Sequence, residues 1–329
     1  MANNVKILCV KDGIPIRYNG HEENVETIFG FDTSNRLIQR FTFLCDIYPS
    51  DELVRKYSSA KEINVEKACL FYAYRYQVSF AHFCCQTLPK LLDFFELSKT
   101  VPDIRLLVPN HHYNTFVKDI FARCKIDMLK LIVMEDNHLY NVQYYYKTRI
   151  FDCIPDKFSK DHLEIFSMIR SSIPVTPCVP KRRVYLKKDG VPNTEFGNSE
   201  RGITRKILNE EELMGALQSK GFEIVTLGDK TIDQKYELLK DAEYVITQIG
   251  ANCMNLAYTN APKNIILLTN DITFGEMWYS NLCSELNSAE INTKILYYKS
   301  HIYNKDPTNM WNNPFYVNIA EILDNIKDE

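Results

Sequence analysis

The sequence predicts an α/β protein, and three observations carry that expectation. Short apolar strands alternate with amphipathic helical stretches through residues 104–134 and again through 183–298, the rhythm of parallel sheets covered by helices. Three prolines crowd the stretch Ile173-Pro174-Val175-Thr176-Pro177-Cys178-Val179-Pro180, which can neither continue a helix nor lie in a central strand, so it reads as a linker. The chain's 329 residues are enough for a domain on each side of it.

Bulk properties exclude several classes. Hydrophobic content of 45% with 25% charged residues is that of an ordinary globular chain. No apolar run reaches the roughly 18 residues of a membrane span. Met-Ala-Asn-Asn leads straight into Val5-Lys6-Ile7-Leu8-Cys9-Val10, read as a first strand and not a signal peptide, so a cytoplasmic location is expected. A net charge of −3 argues against nucleic acid as the main partner. The ten cysteines are scattered without a CxxC spacing; reduced, buried thiols are expected, and no metal site.

Taken in order, strands are expected at Lys6 to Val10, Val25 to Gly30, Phe41 to Asp46 and Ala68 to Tyr72. Apolar positions 80, 83, 84, 88, 91, 92 and 95 then follow a helical period, with Pro89 as an expected kink. His82 lies near the start of that helix. It is either a core histidine bonded to a backbone carbonyl or a cleft residue whose near-neutral pKa suits a general base. A strand from Ile104 to Val108, a helix from Thr115 to Cys124, a strand from Leu129 to Met134, turn residues Glu135 to His138 and a helix from Asp161 to Ser171 complete the first half.

Past the prolines, Val184-Tyr185-Leu186 is a strand that ends in Lys187 and Lys188, and a polar loop carries Arg201, Arg205 and Lys206. Asn209 with Glu212 reads as a capping box, and Lys220-Gly221 as the stop of that helix. Strands follow at Phe222 to Leu227 and Tyr244 to Thr247, the second running into Gly250-Ala251-Asn252 and a turn of helix near Met254 to Ala257. Asn264 to Leu268 and Lys294 to Tyr298 read as strands, Phe274 to Leu286 and Pro314 to Lys327 as helices. Strand ends that meet cationic loops and helix N-termini are how α/β proteins hold phosphorylated ligands.

Three blocks resemble glycosyltransferase family 61. His82-Phe83 to Leu88-Pro89-Lys90-Leu91 looks like the family's His-aromatic, Leu-Pro-Arg-Leu helix. Val184-Tyr185-Leu186-Lys187-Lys188 with Arg205-Lys206-Ile207-Leu208-Asn209-Glu210 is similar to its basic segment. Gly221-Phe222-Glu223-Ile224-Val225 through Gly250-Ala251 and Asn255-Leu256 resembles its Gly-Phe-Glu-Val-Val to Gly-Ala ending. The family's histidine before Gly-Ala is Ile249 here, its threonine Met254, and an acid many members carry is Gln86.

The resemblance implies a GT-B fold: two Rossmann-like domains with parallel sheets and a donor cleft between them. The expected division is an acceptor domain over 1–176, a nucleotide-sugar domain over 177–312, and a terminal helix over 313–329 packing back on the first domain. It also implies inverting transfer from a UDP-sugar, with xylose or N-acetylglucosamine favoured, to a glycan acceptor. No Asp-x-Asp triplet occurs in the chain, so a metal-independent reaction without a cofactor is expected, with the leaving charge met by cations and amides. On that basis Lys188 and Arg205 face the donor diphosphate, Lys187 assists, and Gly250, Ala251 and Asn252 allow close backbone approach. Asn255 lines the pocket, Asn209 matches the motif while also suiting a cap, and His82 is the candidate catalytic base. The alternative is a catalytically inactive nucleotide-sugar or glycan-binding module of the same fold.

Overall fold

Alternation over residues 5–10 sorts the first strand's side chains onto two faces. Val5, Ile7 and Cys9 enter one core, and Leu8 and Val10 another, as the two-residue period of a strand requires. The structure is a computed structural model describing residues 2–18, 21–36, 51–72, 83–110, 113–149, 160–174, 179–188, 206–228, 230–258, 264–271, 292–299 and 313–327. The chain divides into two compact units, Met1–Cys153 and Ile154–Glu329.

The first unit contains β1 (Ala2–Tyr18), β2 (His21–Phe31), α1 (Asp51–Ser59), β3 (Lys61–Leu70), α2 (Lys90–Thr100), β4 (Arg105–Pro109), α3 (Thr115–Arg123), β5 (Leu131–Met134) and β6 (His138–Tyr145). Its sheet has the order β2-β1-β6-β3-β4-β5. The strands β6, β3, β4 and β5 are parallel, whereas β1 pairs antiparallel with both β6 and β2. The expected parallel sheet therefore carries an antiparallel edge, because the two residues between β1 and β2 are too few for a crossover.

Two helix expectations change here. Pro89 does not kink a helix; it sits at the N-cap of α2, with φ −62°. A residue without an N–H fits before a first turn at no cost in hydrogen bonds. Ahead of it, Phe83–Thr87 forms one wide π turn, closed by Leu88 N donating to Phe83 O at 2.9 Å. The strand expected at Phe41 to Asp46 and the helix expected at Phe274 to Leu286 lie outside the described residues.

The second unit contains α4 (Lys160–Ser171), β7 (Arg182–Leu186), α5 (Glu210–Ser219), β8 (Phe222–Val225), α6 (Ile232–Leu239), β9 (Ala242–Gln248), β10 (Asn264–Asn270), β11 (Asn292–Tyr298) and α7 (Ile319–Asp324). All five strands are parallel, in the order β11-β10-β9-β7-β8. Central strands of such sheets are covered on both faces, and β10 is buried from Ile265 to Asn270. On one face Tyr185, Tyr244, Ile246, Ile266 and Leu268 pack with Leu213 and Leu217 of α5 and Ile322 of α7. Their alternates Val184, Leu186, Val245, Ile265 and Leu267 are buried as well. A short helix over Ala251–Tyr258 packs against β9, α4 and α6.

Through that last contact α4 groups with the second unit, which starts at Ile154, ahead of the prolines at 173–180. The terminal segment expected over 313–329 groups with the second unit. Residues 313–327 are built into the second unit's own core through Phe315, Val317, Ile322 and Ile326. Arg183 Nη2 donates to Lys327 O at 3.1 Å, and Lys327 N donates to the Tyr244 hydroxyl at 3.1 Å.

Gly221 ends α5 as expected, with φ +79°. A Cβ there would meet nothing within 4 Å, so the left-handed backbone alone selects glycine. Gly221→Ala is expected to lower stability by about 1 kcal/mol, read as a reduced urea midpoint. An unchanged midpoint would contradict this account.

Candidate functional site

In the second unit the chain leaves β7 toward β8 on one side, while β9 lies on the other. This is the topological switch point of a doubly wound sheet, outside whose carboxyl ends ligands bind. Two segments meet there: Leu186-Lys187-Lys188 after β7, and Gln248-Ile249-Gly250 after β9.

Polar side chains join the two. Thr247 Oγ1 donates to Leu186 O at 3.1 Å, which ties the ends of β9 and β7 together. Asn252 Nδ2 donates to Lys187 O at 3.2 Å, and Asn255 Nδ2 to Asn252 O at 3.0 Å. The Asn255 carbonyl oxygen is buried without a hydrogen-bond partner. Gly250 O accepts from Cys253 N at 3.1 Å and so starts the short helix, whose first residue is Ala251. Lys187, Lys188, Gly250, Ala251, Asn252 and Asn255 thus belong to one connected neighbourhood.

The two lysines differ in setting. Lys187 N continues the sheet by donating to Val225 O at 2.9 Å, and its Nζ lies 3.6 Å from Glu211 Oε1. With the Lys187 side chain 33% exposed and that of Glu211 86% exposed, solvent screens this pair and it adds little stability. Lys188 is half-buried. Arg205 and His82 lie outside the described residues.

Asn209 does not cap α5, which corrects the expected capping box: its side chain makes no cap hydrogen bond. Instead Asn209 Nδ2 donates to Val317 O and its Oδ1 accepts from Val317 N, each at 3.0 Å. Its amide is therefore committed to the terminal segment. Glu210 accepts from the Tyr185 hydroxyl at 2.8 Å, and burial beside this carboxylate raises the Tyr185 pKa so that the phenol stays neutral. The complete capping box is in α6, between Thr231 and Gln234.

Sequence reasoning passed over Thr247, which sits in an apolar strand and reads as core. Gln86 and Lys90 were quoted only as motif letters, yet both are buried. The described cysteines Cys9, Cys69, Cys84, Cys85, Cys124 and Cys253 are buried. Burial pushes the Cys9, Cys69 and Cys124 thiols up to about 12, so they are poor nucleophiles at neutral pH. Among the described residues no helix is long and apolar enough to cross a membrane.

The family model for Glycosyltransferase 61 matches residues 80–266, a span holding both the Phe83–Thr87 turn and the switch point between β7 and β9. No curated protein matches the chain.

Proposed function

Because the chain belongs to glycosyltransferase family 61 and is therefore a glycosyltransferase, we propose that it moves a sugar from a UDP-sugar to a glycan acceptor by one inverting, metal-independent displacement. Xylose and N-acetylglucosamine are the favoured sugars. The observation that carries this reading is the convergence of Lys187, Lys188 and the Gly250 turn at the sheet's switch point.

In this reading the donor diphosphate lies across the carboxyl ends of β7 and β9. The ammonium groups of Lys187 and Lys188, the Arg205 guanidinium and the first-turn amides of the short helix meet its charge. These groups matter most as the bond from the anomeric carbon to the phosphate oxygen breaks and charge builds on the leaving diphosphate. The acceptor oxygen attacks from the opposite face, which inverts the anomeric centre. Its proton passes to a base, assigned to His82. Asn209, held by Val317, shapes the loop after Arg205 and is not given a ligand contact.

Calorimetry with UDP tests the donor site. Lys188→Ala and Arg205→Ala are each expected to weaken UDP by roughly 10-fold, the worth of one charge-assisted contact. Parent-like affinity in both would move the pocket elsewhere. A second reading, a binding module without turnover, is favoured by Gln86: a buried amide occupies the position where many members carry an acid, and an amide takes up no proton at neutral pH. Incubation with a panel of radiolabelled nucleotide sugars separates the two readings. Binding across the panel with neither hydrolysis nor transfer supports the module.

A further inference from the structure

Lys90 stands where helix electrostatics favour an anion. It is the first residue of α2, beside the positive end of the helix dipole, and it is only 9% exposed. Its Nζ donates to Tyr72 O at 2.6 Å, just beyond β3. Such a placement is electrostatically costly, and costly charges in folded proteins concentrate at functional sites.

Charges of both signs act on it. Asp93, one turn along α2, acts on Lys90 as the nearby carboxylate. That carboxylate is already engaged: Arg149 donates to it from its main-chain N at 2.6 Å and from Nε at 2.5 Å. Lys147 adds a further positive charge acting on Lys90. Cys69 also acts on Lys90; burial raises its thiol to about 12, so it is neutral at pH 8, and burial pushes the Tyr145 phenol beside it up as well. Among the described residues, Lys90, Lys147 and Arg149 are thus the cations that act on or bind Asp93 and its surroundings. Burial, the largest influence, lowers the Lys90 pKa to about 8.

Topology marks the same place. The cluster lies at the carboxyl ends of β3 and β6, which are parallel neighbours. The strand β3 is followed in sequence by β4, which pairs on its other side. This is the switch point of the first unit's sheet, where a ligand crevice is expected on topological grounds alone. Lys147 and Arg149 are exposed there, whereas Lys90 is buried.

We propose that the carboxyl ends of β3 and β6 form an oxyanion-binding site, with Lys90 as its floor and Lys147 and Arg149 as its rim. The ligand group is a phosphate or a carboxylate, supplied by a phosphorylated ligand or by an acidic sugar. Tyr72 takes one of the three ammonium hydrogens of Lys90, and an oxyanion offers acceptors for the rest. Binding would favour the charged lysine, so it takes up a proton near pH 8.

The test is calorimetry on the full chain at pH 8, in buffers of different ionisation enthalpy, with inorganic pyrophosphate and separately with D-glucuronate. Binding of at least one, with proton uptake, is expected. Pyrophosphate alone assigns the site to phosphate, glucuronate alone to carboxylate, and both to oxyanions generally. Lys90→Met and the surface change Lys147→Glu should each weaken binding by about 10-fold or more, whereas pyrophosphate binding that only Lys188→Ala removes belongs to the proposed donor site. Lys90→Met should also raise the melting temperature at pH 7. Between pH about 8 and 10.5 the unfolded chain keeps the lysine proton that the folded chain releases. Stability therefore rises with pH through that window, and the penalty of the buried charge is complete below it. If Lys90→Met fails to fold, Lys147→Glu carries the test. The proposal is overturned if neither probe binds, if both variants bind as the parent does, or if binding disappears only in Lys188→Ala.

Discussion

Phe315→Ala is expected to destabilise the protein by about 3–5 kcal/mol, the usual cost of removing a fully buried aromatic side chain. Phe315 is 0% exposed and stacks on Tyr298, with ring centroids 6.2 Å apart and planes 9° from parallel. Its backbone also closes a small pairing, as Phe315 N donates to Lys206 O at 3.0 Å and Leu208 N donates to Phe315 O at 2.8 Å. The neighbouring Tyr316 is 56% exposed, so Tyr316→Ala should change stability by no more than about 0.5 kcal/mol. Urea denaturation of the two variants side by side is the measurement. Equal midpoints would mean that residues 313–317 are not part of the second unit's core.

The consequence reaches the proposed donor site through Asn209. Residues 206–209 are held by Phe315 on the main chain and by Val317 on the Asn209 side chain. They connect the basic segment containing Arg205 to α5, whose first-turn Glu210 is tied to Tyr185 of β7. Loosening the terminal strap should therefore weaken UDP binding in Phe315→Ala even under conditions where the variant is fully folded. Tyr316→Ala should leave it unchanged.

This dependence was not legible in the sequence, for a physical reason. Asn209 followed by Glu212 is a sound local cap signal, but the side chain has a better partner 108 residues away. Long-range hydrogen bonds of this kind leave no trace in a window of four residues. Local signals won where no distant competitor existed. Thr231 and Gln234 form the capping box of α6, and Gly221 takes the left-handed turn after α5. The parallel strands of the second unit were readable because burial on both faces makes them nearly continuous apolar runs.

The first unit was harder. The outer part of β3, from Lys61 to Asn64, is largely exposed and polar. The strand β6 mixes buried Leu139, Tyr140 and Val142 with Asn141 and Gln143, so neither shows a clean apolar run. At the candidate site, the lysines and the Gly250 turn stood out by residue type. Thr247 did not, because a single hydroxyl within Val245-Ile246-Thr247 looks like β-propensity until its donation to Leu186 O is seen. Burial of Gln86 and Lys90 was hidden for a related reason: polar letters on a helical stretch read as a solvated face.

His82→Ala is expected to lower turnover by about 10²-fold while leaving UDP affinity largely intact. The assignment rests on the resemblance of His82-Phe83 to the family's His-aromatic motif, set beside the chemistry of the groups described at the other site. Around the switch point of β7 and β9, Lys187 and Lys188 are cations assigned to the diphosphate, and Asn252, Asn255 and Thr247 take up no proton near neutral pH. Glu210 accepts from Tyr185 at 2.8 Å, and Glu211 is a solvated partner of Lys187. Gln86 is buried and its Oε1 lacks a hydrogen-bond partner, but an amide oxygen there is no base. His82 lies within the family-matched span, and an imidazole is suited to taking a proton near neutral pH. The variant should lose the acid limb of the kcat/KM profile, because that limb reports protonation of the free enzyme's base. Lys188→Ala should instead keep the limb and raise the donor KM. If His82→Ala turns over like the parent, or loses rate equally at every pH, the base must be sought on another residue.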